Sequence, residues 1–449
     1  MTLRGERELQ RIARLVLGAV DADQAEVYIE SGTSALTRFA SNYVHQNVQE
    51  SDLTVSVRAV NGKRIGIASS DSIADDALVA LAQRAVALAK LQTPNEEFVS
   101  LPRPTPIRAV EAFLPATAEY SAEQRAEVVS RICEAAKRAN LVAAGAYRTG
   151  FNETAVMNTL GVWAYHRGAT ADVNTVLMGE TSSGHAERLT LDASEIDGDE
   201  LATEAIDKAK RGVDPQSLDP GVYEVILEEY AVADIMDYFA DLAFGAQAFI
   251  EKRSFMSGRL NEHVLGDNVT IWDDGASPDT VPQPFDYEGV GRQNVSLIEK
   301  GDARGVVWDS YYGGIANHES TGHALPAGWT YGPMPGNLFM APGDSSKDEM
   351  VANIERGVWV SRFWYTRPVH PLQVILTGMT RDGTFLIENG RITRPVSNLR
   401  FTQSYVEALN NVQALGRETR LLPSFAGACR VPALHIKAWN FTGATDSAG

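Results

Sequence analysis

Two features are scarce in this sequence: cysteine and positive charge. Cysteine occurs only at Cys133 and Cys429 among 449 residues, which excludes a disulfide framework and a Cys-x-x-Cys metal site and fits a reducing compartment. The 40 lysines and arginines are outnumbered by 58 aspartates and glutamates, giving a formal net charge of −18. Because affinity for a phosphate backbone comes mainly from clustered Lys and Arg, nucleic acid is excluded as a partner.

Long apolar runs are missing as well. The strongest candidate, residues 231–250, contains Asp234, Asp237 and Asp241, so it lacks the roughly 18 uncharged apolar residues that a membrane helix needs. The first residues carry charges throughout, which indicates an amphipathic helix instead of a secretory signal. We therefore expect a cytoplasmic protein that does not bind membranes.

The composition and the periodicity predict the α+β class. With 44% hydrophobic residues the chain can form a sizeable core, and its length suggests two domains. Alternating apolar runs indicate strands, and Asn61-Gly62 between two such runs predicts a hairpin. Ser121 and Gln124 form a capping-box pattern, which predicts the start of a helix.

The best domain boundary is the segment Val213–Gly221, which contains two prolines and acidic turn residues. We predict an N-terminal mixed α/β domain with an antiparallel sheet at residues 1–219. Residues 220–449 are predicted to form a C-terminal β-rich antiparallel domain, which opens with a short strand and a helix over residues 231–250.

One motif contains the residue types of a hydrolytic zinc site. His318, Glu319 and His323 lie within six residues; histidine nitrogens bind zinc, and a carboxylate can accept a proton from a metal-bound water. However, the histidines are separated by five positions, which places their side chains roughly 140° apart on a regular helix. Glycine and proline on both sides favour a loop. The alternative interpretation is a loop that makes hydrogen bonds near a pocket or an interface.

The second half of the chain resembles the TldD/PmbA metalloprotease family in the order and spacing of several blocks. These blocks are Pro220–Leu227, Ser254–Leu260, Pro284–Val290, Asp309–Tyr312, Ser320–Ala324, Pro342–Asp344 and Gly383–Ile392. The N-terminal half agrees more loosely, through Gly62–Gly66 and Asn158–Val162.

The resemblance implies where a zinc motif should lie. In catalytic TldD-type members, a His-Glu-x-x-x-His motif occupies the helix after the Pro-Gly-x-Tyr strand. In this chain the matching positions run from Asp237 and Tyr238 to Leu242, and no histidine occurs between His185 and His263. The resemblance therefore predicts the TldE (PmbA) type, which lacks the zinc motif, with no cofactor of its own and zinc in a partner subunit.

The same resemblance gives other residues their expected roles. TldE-type members have a Ser-Thr-Gly-His-Ala segment where Ser320, Thr321, Gly322 and His323 lie, which implies a substrate- or partner-facing loop. Cys429 lies near the position of a cysteine ligand in catalytic members but is interpreted as a core or interface residue. Asp237 and Asp241, four positions apart on the predicted helix 231–250, are interpreted as a solvated face, with a carboxylate pair for acid–base work as the alternative.

Three functions follow. The first is a non-catalytic subunit that pairs with a TldD-type catalytic subunit to process unfolded peptides. The second is an autonomous zinc hydrolase with His318 and His323 as ligands, Glu319 as general base, and His370 or Cys429 as third ligand. The third is a homodimeric peptide-binding protein without protease activity.

Overall fold

The structure is a computed structural model that describes residues 3–444. Ten α-helices occur in this part of the chain: α1 (Glu6–Ala19), α2 (Asp75–Leu91), α3 (Pro115–Ala118), α4 (Ala122–Arg138), α5 (Gly198–Arg211), α6 (Glu229–Leu242), α7 (Ala246–Ile250), α8 (Ser310–Ala316), α9 (Lys347–Ala352) and α10 (Tyr405–Asn410). No helix in the described part is long and apolar enough to cross a membrane.

The strands form two separate sheets. The first contains β1 (Gln24–Ala40), β2 (Tyr43–Asn61), β3 (Arg64–Ser70), β4 (Val142–Asn158), β5 (Trp163–Met178) and β6 (Ser183–Thr190). The second contains β7 (Gly221–Leu227), β8 (Ile271–Asp274), β9 (Asn294–Glu299), β10 (Asp302–Ala303), β11 (Asn337–Met340), β12 (Arg356–His370), β13 (Ile375–Glu388), β14 (Arg391–Pro395), β15 (Leu399–Ser404), β16 (Val412–Ser424) and β17 (Gly427–Ala444). The predicted α+β class is confirmed.

The first sheet is antiparallel throughout, with the order β3-β2-β1-β4-β5-β6. The predicted hairpin at Asn61-Gly62 joins β2 to β3, and Gly62 has a φ of 59°, which glycine adopts without strain. Helices α1 and α2 bury apolar side chains of β1 and β2, while α4 and α5 cover β4 and β5. The predicted capping box is present, because the Ser121 hydroxyl and the Gln124 side chain accept each other's backbone N–H.

The second sheet has eleven strands and is mostly antiparallel. Two pairs depart from the predicted antiparallel arrangement, since β7 pairs in parallel with β12 and β11 pairs in parallel with β17. Its core is rich in aromatic rings: Phe363 stacks on Trp439 with the ring centroids 5.0 Å apart, and Phe401 packs edge-on against the same indole. Helix α6 is embedded in this core through its buried face.

The predicted continuous helix over residues 231–250 is wrong, because it is interrupted between α6 and α7. Ala246 donates its backbone N–H to Val307, and the Val307 N–H bonds to the Phe244 carbonyl. A side chain on Gly245 would approach the Pro333 carbonyl oxygen to 2.3 Å. The tertiary contact with Val307 therefore ends the helix, although the apolar pattern continues.

The two sheets are connected through the outer edge of β6. The Glu187 backbone N–H donates to the Tyr230 hydroxyl (3.0 Å), and Arg420 donates to the Glu187 carbonyl (3.3 Å). Lys208 on α5 donates to the His185 carbonyl and forms an ion pair with Glu228 at 2.8 Å. Tyr230 and Arg420 from the second half, together with Lys208 from the first, thus satisfy backbone groups of an edge strand that would otherwise be unpaired. The division at residue 220 remains a prediction.

Candidate functional site

The segment containing His318 and His323 is a loop, as its glycines and proline predicted. Helix α8, which precedes it, was not predicted, because Gly313-Gly314 suggested a break. The Asp309 side chain caps its start by accepting the Tyr312 N–H (2.7 Å), and Asn317 ends it in the left-handed region with a φ of 54°. An acidic residue before a short apolar run is an N-cap signal that sequence reasoning missed.

The two histidines lie in different environments. His318 is exposed, and its ring stacks on Trp308 with the centroids 4.4 Å apart. His323 is fully buried: its Nδ1 lies 2.9 Å from the Thr321 hydroxyl, and its Nε2 lies 2.8 Å from an Asp273 carboxylate oxygen. Burial lowers the pKa of His323 although Asp273 opposes the shift. Both ring nitrogens of His323 are therefore engaged inside the protein.

The remainder of the loop is fixed by close backbone contacts. The Thr321 hydroxyl accepts the Trp308 N–H at 2.7 Å, and the Ser320 hydroxyl accepts the Gly322 N–H at 3.1 Å. Gly322 has a φ of 79°, and a side chain there would meet the Gly291 carbonyl oxygen at 2.6 Å. This position consequently requires glycine. Of the four predicted loop residues, Ser320 is the most accessible, while Thr321, Gly322 and His323 are buried.

Helix α6 carries the positions where the family resemblance placed a zinc motif. The Asp237 carboxylate accepts the Ser424 hydroxyl (2.6 Å) and the Phe425 backbone N–H (3.2 Å), and the Tyr238 hydroxyl donates to the Thr366 carbonyl (2.6 Å). Leu242 packs against the core. The interpretation of this face as solvated is wrong for Asp237, because the residue is half-buried and its carboxylate is bonded to the turn at Ser424 and Phe425. This burial raises the pKa of its carboxyl.

Zinc does not fit these residues. In residues 3–444 no group of three or more His, Cys, Asp or Glu side chains is arranged to hold a metal ion. Asp237 and Tyr238 are hydrogen-bonded to protein groups, and Cys429 is fully buried in the core. Burial raises the pKa of the Cys429 thiol, and the charges of Asp237 and Glu187 raise it further, which disfavours the thiolate that zinc requires.

A cavity of about 270 Å³ opens beside the loop, between β2, β3 and the segment 309–332. Arg58 lines the cavity and bridges two buried carboxylates, at 2.8 Å from Glu26 and 2.9 Å from Glu288. Burial raises the pKa of Glu26 to about 7 and that of Asp309, which also lies near Glu288, to about 7. Sequence reasoning missed this group, because its members come from three distant segments.

The chain matches two family profiles. Residues 220–443 match the PmbA/TldA metallopeptidase C-terminal domain, and residues 25–89 match the PmbA/TldA metallopeptidase domain 1.

Relatives and solved structures agree with these matches. A metalloprotease TldD homolog of Haemophilus influenzae is 23% identical over 437 residues, covering 89% of this chain and 86% of the relative. A metalloprotease of Methanothermobacter thermautotrophicus is 26% identical over 240 residues, about half of each protein (51% and 51%). The crystal structure of TldE from Thermococcus kodakarensis is similar over 97% of this chain and all of that one (100%), with a TM-score of 0.87 and 21% identity. The chain belongs to the PmbA/TldD metallopeptidase family.

Proposed function

We propose that this chain is a non-catalytic, TldE-type subunit that pairs with a TldD-type catalytic subunit to process unfolded peptides in the cytoplasm. The observation that carries the proposal is helix α6. The positions that match the catalytic zinc motif are Asp237, Tyr238 and Leu242, and their side chains support neighbouring turns and the core.

These contacts indicate a structural task for the helix. Asp237 bonds the turn between β16 and β17, and Tyr238 bonds a strand carbonyl of β12. A metal ligand needs a lone pair directed into an open site, whereas these polar atoms are directed at protein donors and acceptors. In the proposed complex the chain contributes cavity wall, substrate contacts and stability, while the partner binds zinc.

The autonomous zinc hydrolase is not favoured by the geometry. His323 already uses both ring nitrogens, at 2.9 Å and 2.8 Å from Thr321 and Asp273, and is buried away from His318. The two residues suggested as third ligand do not complete a site. His370 is exposed at the end of β12, and Cys429 lies in the core.

Metal content and partner identity test the proposal together. The chain is purified alone and after co-expression with a TldD-type protein, and zinc is measured by plasma mass spectrometry. We expect no stoichiometric zinc in the isolated chain, one zinc per complex, and peptidase activity on an unfolded peptide only in the complex. Stoichiometric zinc in the isolated chain would refute the proposal.

Two controls separate the other hypotheses. His318→Ala should leave zinc content and activity of the complex unchanged, whereas an autonomous hydrolase would lose both. If no family member carrying His-Glu-x-x-x-His copurifies and the chain remains a homodimer without activity, the homodimeric binding protein is the better description.

A further inference from the structure

Exposed aromatic side chains form a continuous ridge next to the cavity. Trp329, Tyr331 and Phe425 are 55%, 53% and 62% exposed. Their ring centroids are 6.2 Å apart from Trp329 to Tyr331 and 6.0 Å apart from Tyr331 to Phe425. Large aromatic side chains in contact with each other on a surface are typical of interaction sites, because exposing them to water is unfavourable.

The spacing of the rings fits an extended polypeptide. In a strand, side chains on one face repeat every two residues, about 6.6 Å at 3.3 Å per residue. The ring spacings of 6.2 and 6.0 Å are close to this repeat. Apolar side chains at alternate positions of an extended peptide can therefore each contact one ring of the ridge.

The ridge leads directly into the cavity, because Trp329 belongs to both. Tyr311 and Tyr312 form another part of the cavity wall and pack edge-to-face at 5.1 Å. The volume of about 270 Å³ is below the roughly 300–1,000 Å³ of sites for drug-sized ligands. The cavity is therefore suited to one side chain of a larger chain.

The charge of the cavity selects a cationic side chain. Glu288 and Asp309 line it together with Arg58, and Arg58 is already shared between Glu288 and the buried Glu26. The cavity lining therefore carries two carboxylates and one guanidinium, and the positive charge of Arg58 is also shared with Glu26, which is not part of the lining. Aromatic rings beside a carboxylate attract an ammonium or guanidinium group through cation–π interactions as well as charge.

We propose that the cavity and the aromatic ridge form a peptide-binding groove, in which a lysine or arginine side chain of an extended peptide enters the cavity and flanking apolar side chains pack on Trp329, Tyr331 and Phe425. If the proposed function holds, the groove recognises the substrate of the complex. Asp237 positions one end of the ridge, because its carboxylate holds the Phe425 backbone.

Peptide binding to the isolated chain tests the groove without requiring catalysis. The probes are fluorescein-labelled ten-residue peptides of alternating leucine and serine, with lysine, the uncharged norleucine, or glutamate at one central position. Fluorescence anisotropy at pH 8, above the pKa of about 7 to which burial raises Asp309, should give a Kd at least tenfold lower for the lysine peptide than for the other two. An unlabelled lysine peptide should compete, whereas free lysine at the same concentration should not. Equal affinities, absence of binding, or competition by free lysine would overturn the proposal.

Variants locate the site. Asp309→Asn removes the charge but keeps an oxygen that can cap α8, so it should abolish the preference for lysine while the norleucine peptide binds as before. Trp329→Ala and Phe425→Ala should weaken all peptides at least fivefold. Tyr365→Ala is the matched control, because Tyr365 is 67% exposed and outside the groove. If Asp309→Asn still preferred the lysine peptide, or if Tyr365→Ala and Trp329→Ala lost the same amount of peptide affinity, the proposed groove would be refuted. Zinc in the isolated chain would refute only the proposed function.

Discussion

The ion-pair bridge at the junction of the two halves makes a quantitative prediction. The Arg58 side chain is 13% exposed, and its carboxylate partners Glu26 and Glu288 are 3% and 6% exposed. Arg58→Met keeps most of the aliphatic volume but leaves two buried carboxylates without a cation. Loss of one partner of a buried pair costs about 3–5 kcal/mol, and we expect this decrease in the free energy of unfolding at pH 8.

The cost should depend on pH in a defined direction. Burial already raises the pKa of Glu26 to about 7 from 4.5, and removing Arg58 raises it further. Between pH 5.5 and 8 the folded variant therefore binds more protons than the folded wild type, so its stability falls more steeply as the pH rises. One retained proton corresponds to about 1.4 kcal/mol per pH unit. The destabilisation should be about 1–3 kcal/mol smaller at pH 5.5 than at pH 8.

Urea unfolding followed by tryptophan fluorescence and circular dichroism measures both quantities. Arg131→Met is the control, since Arg131 forms an exposed pair with Glu127, with side chains 49% and 66% exposed; it should change stability by less than about 0.5 kcal/mol. Adding Glu26→Gln to Arg58→Met should recover part of the loss at pH 8. An Arg58→Met cost no larger than that of the control, or one that grows at low pH, would refute the reasoning.

Three further predictions concern buried groups in the two cores. Asp237→Ala removes the carboxylate that accepts hydrogen bonds from the turn 424–427, and it should lower the free energy of unfolding by about 1–3 kcal/mol. Amide hydrogen exchange should become faster in that turn only, and unchanged exchange there would contradict the prediction. Burial raises the pKa of Asp234 to about 7, so the folded chain holds a proton that the unfolded chain releases. Stability should fall from pH 4 to about pH 7, and Asp234→Asn should flatten this slope in urea titrations. Cys133 and Cys429 are 3% and 0% exposed, so a thiol reagent should label them only after unfolding. Rapid labelling of the folded chain would contradict the burial of the two thiols.

Local signals in the sequence predicted several elements correctly. The capping residues Ser121 and Gln124 define the start of α4, because the cap depends on residues three positions apart. The hairpin at Asn61-Gly62 is equally local. The glycine and proline residues around His318–His323 correctly predicted a loop, since they disfavour a helix whatever surrounds them.

Features set by distant contacts could not be read from local patterns. The end of α6 depends on backbone bonds to Val307, more than 60 positions away, and the parallel pairs of the second sheet depend on which strands become neighbours. The same holds for Asp237: its helical spacing suggested a solvated face, but the turn between β16 and β17 covers it.

The sequence by itself determined the family, the α+β class and the absence of histidine from the helix that matches the catalytic zinc motif, because these are properties of residue order and identity. Only the tertiary structure decided that His323 is a buried partner of Asp273 while His318 stacks on the surface. It also decided that Arg58, Glu288 and Trp329 share one cavity. Burial and the meeting of distant segments set these environments, and neither is encoded in the spacing of nearby residues.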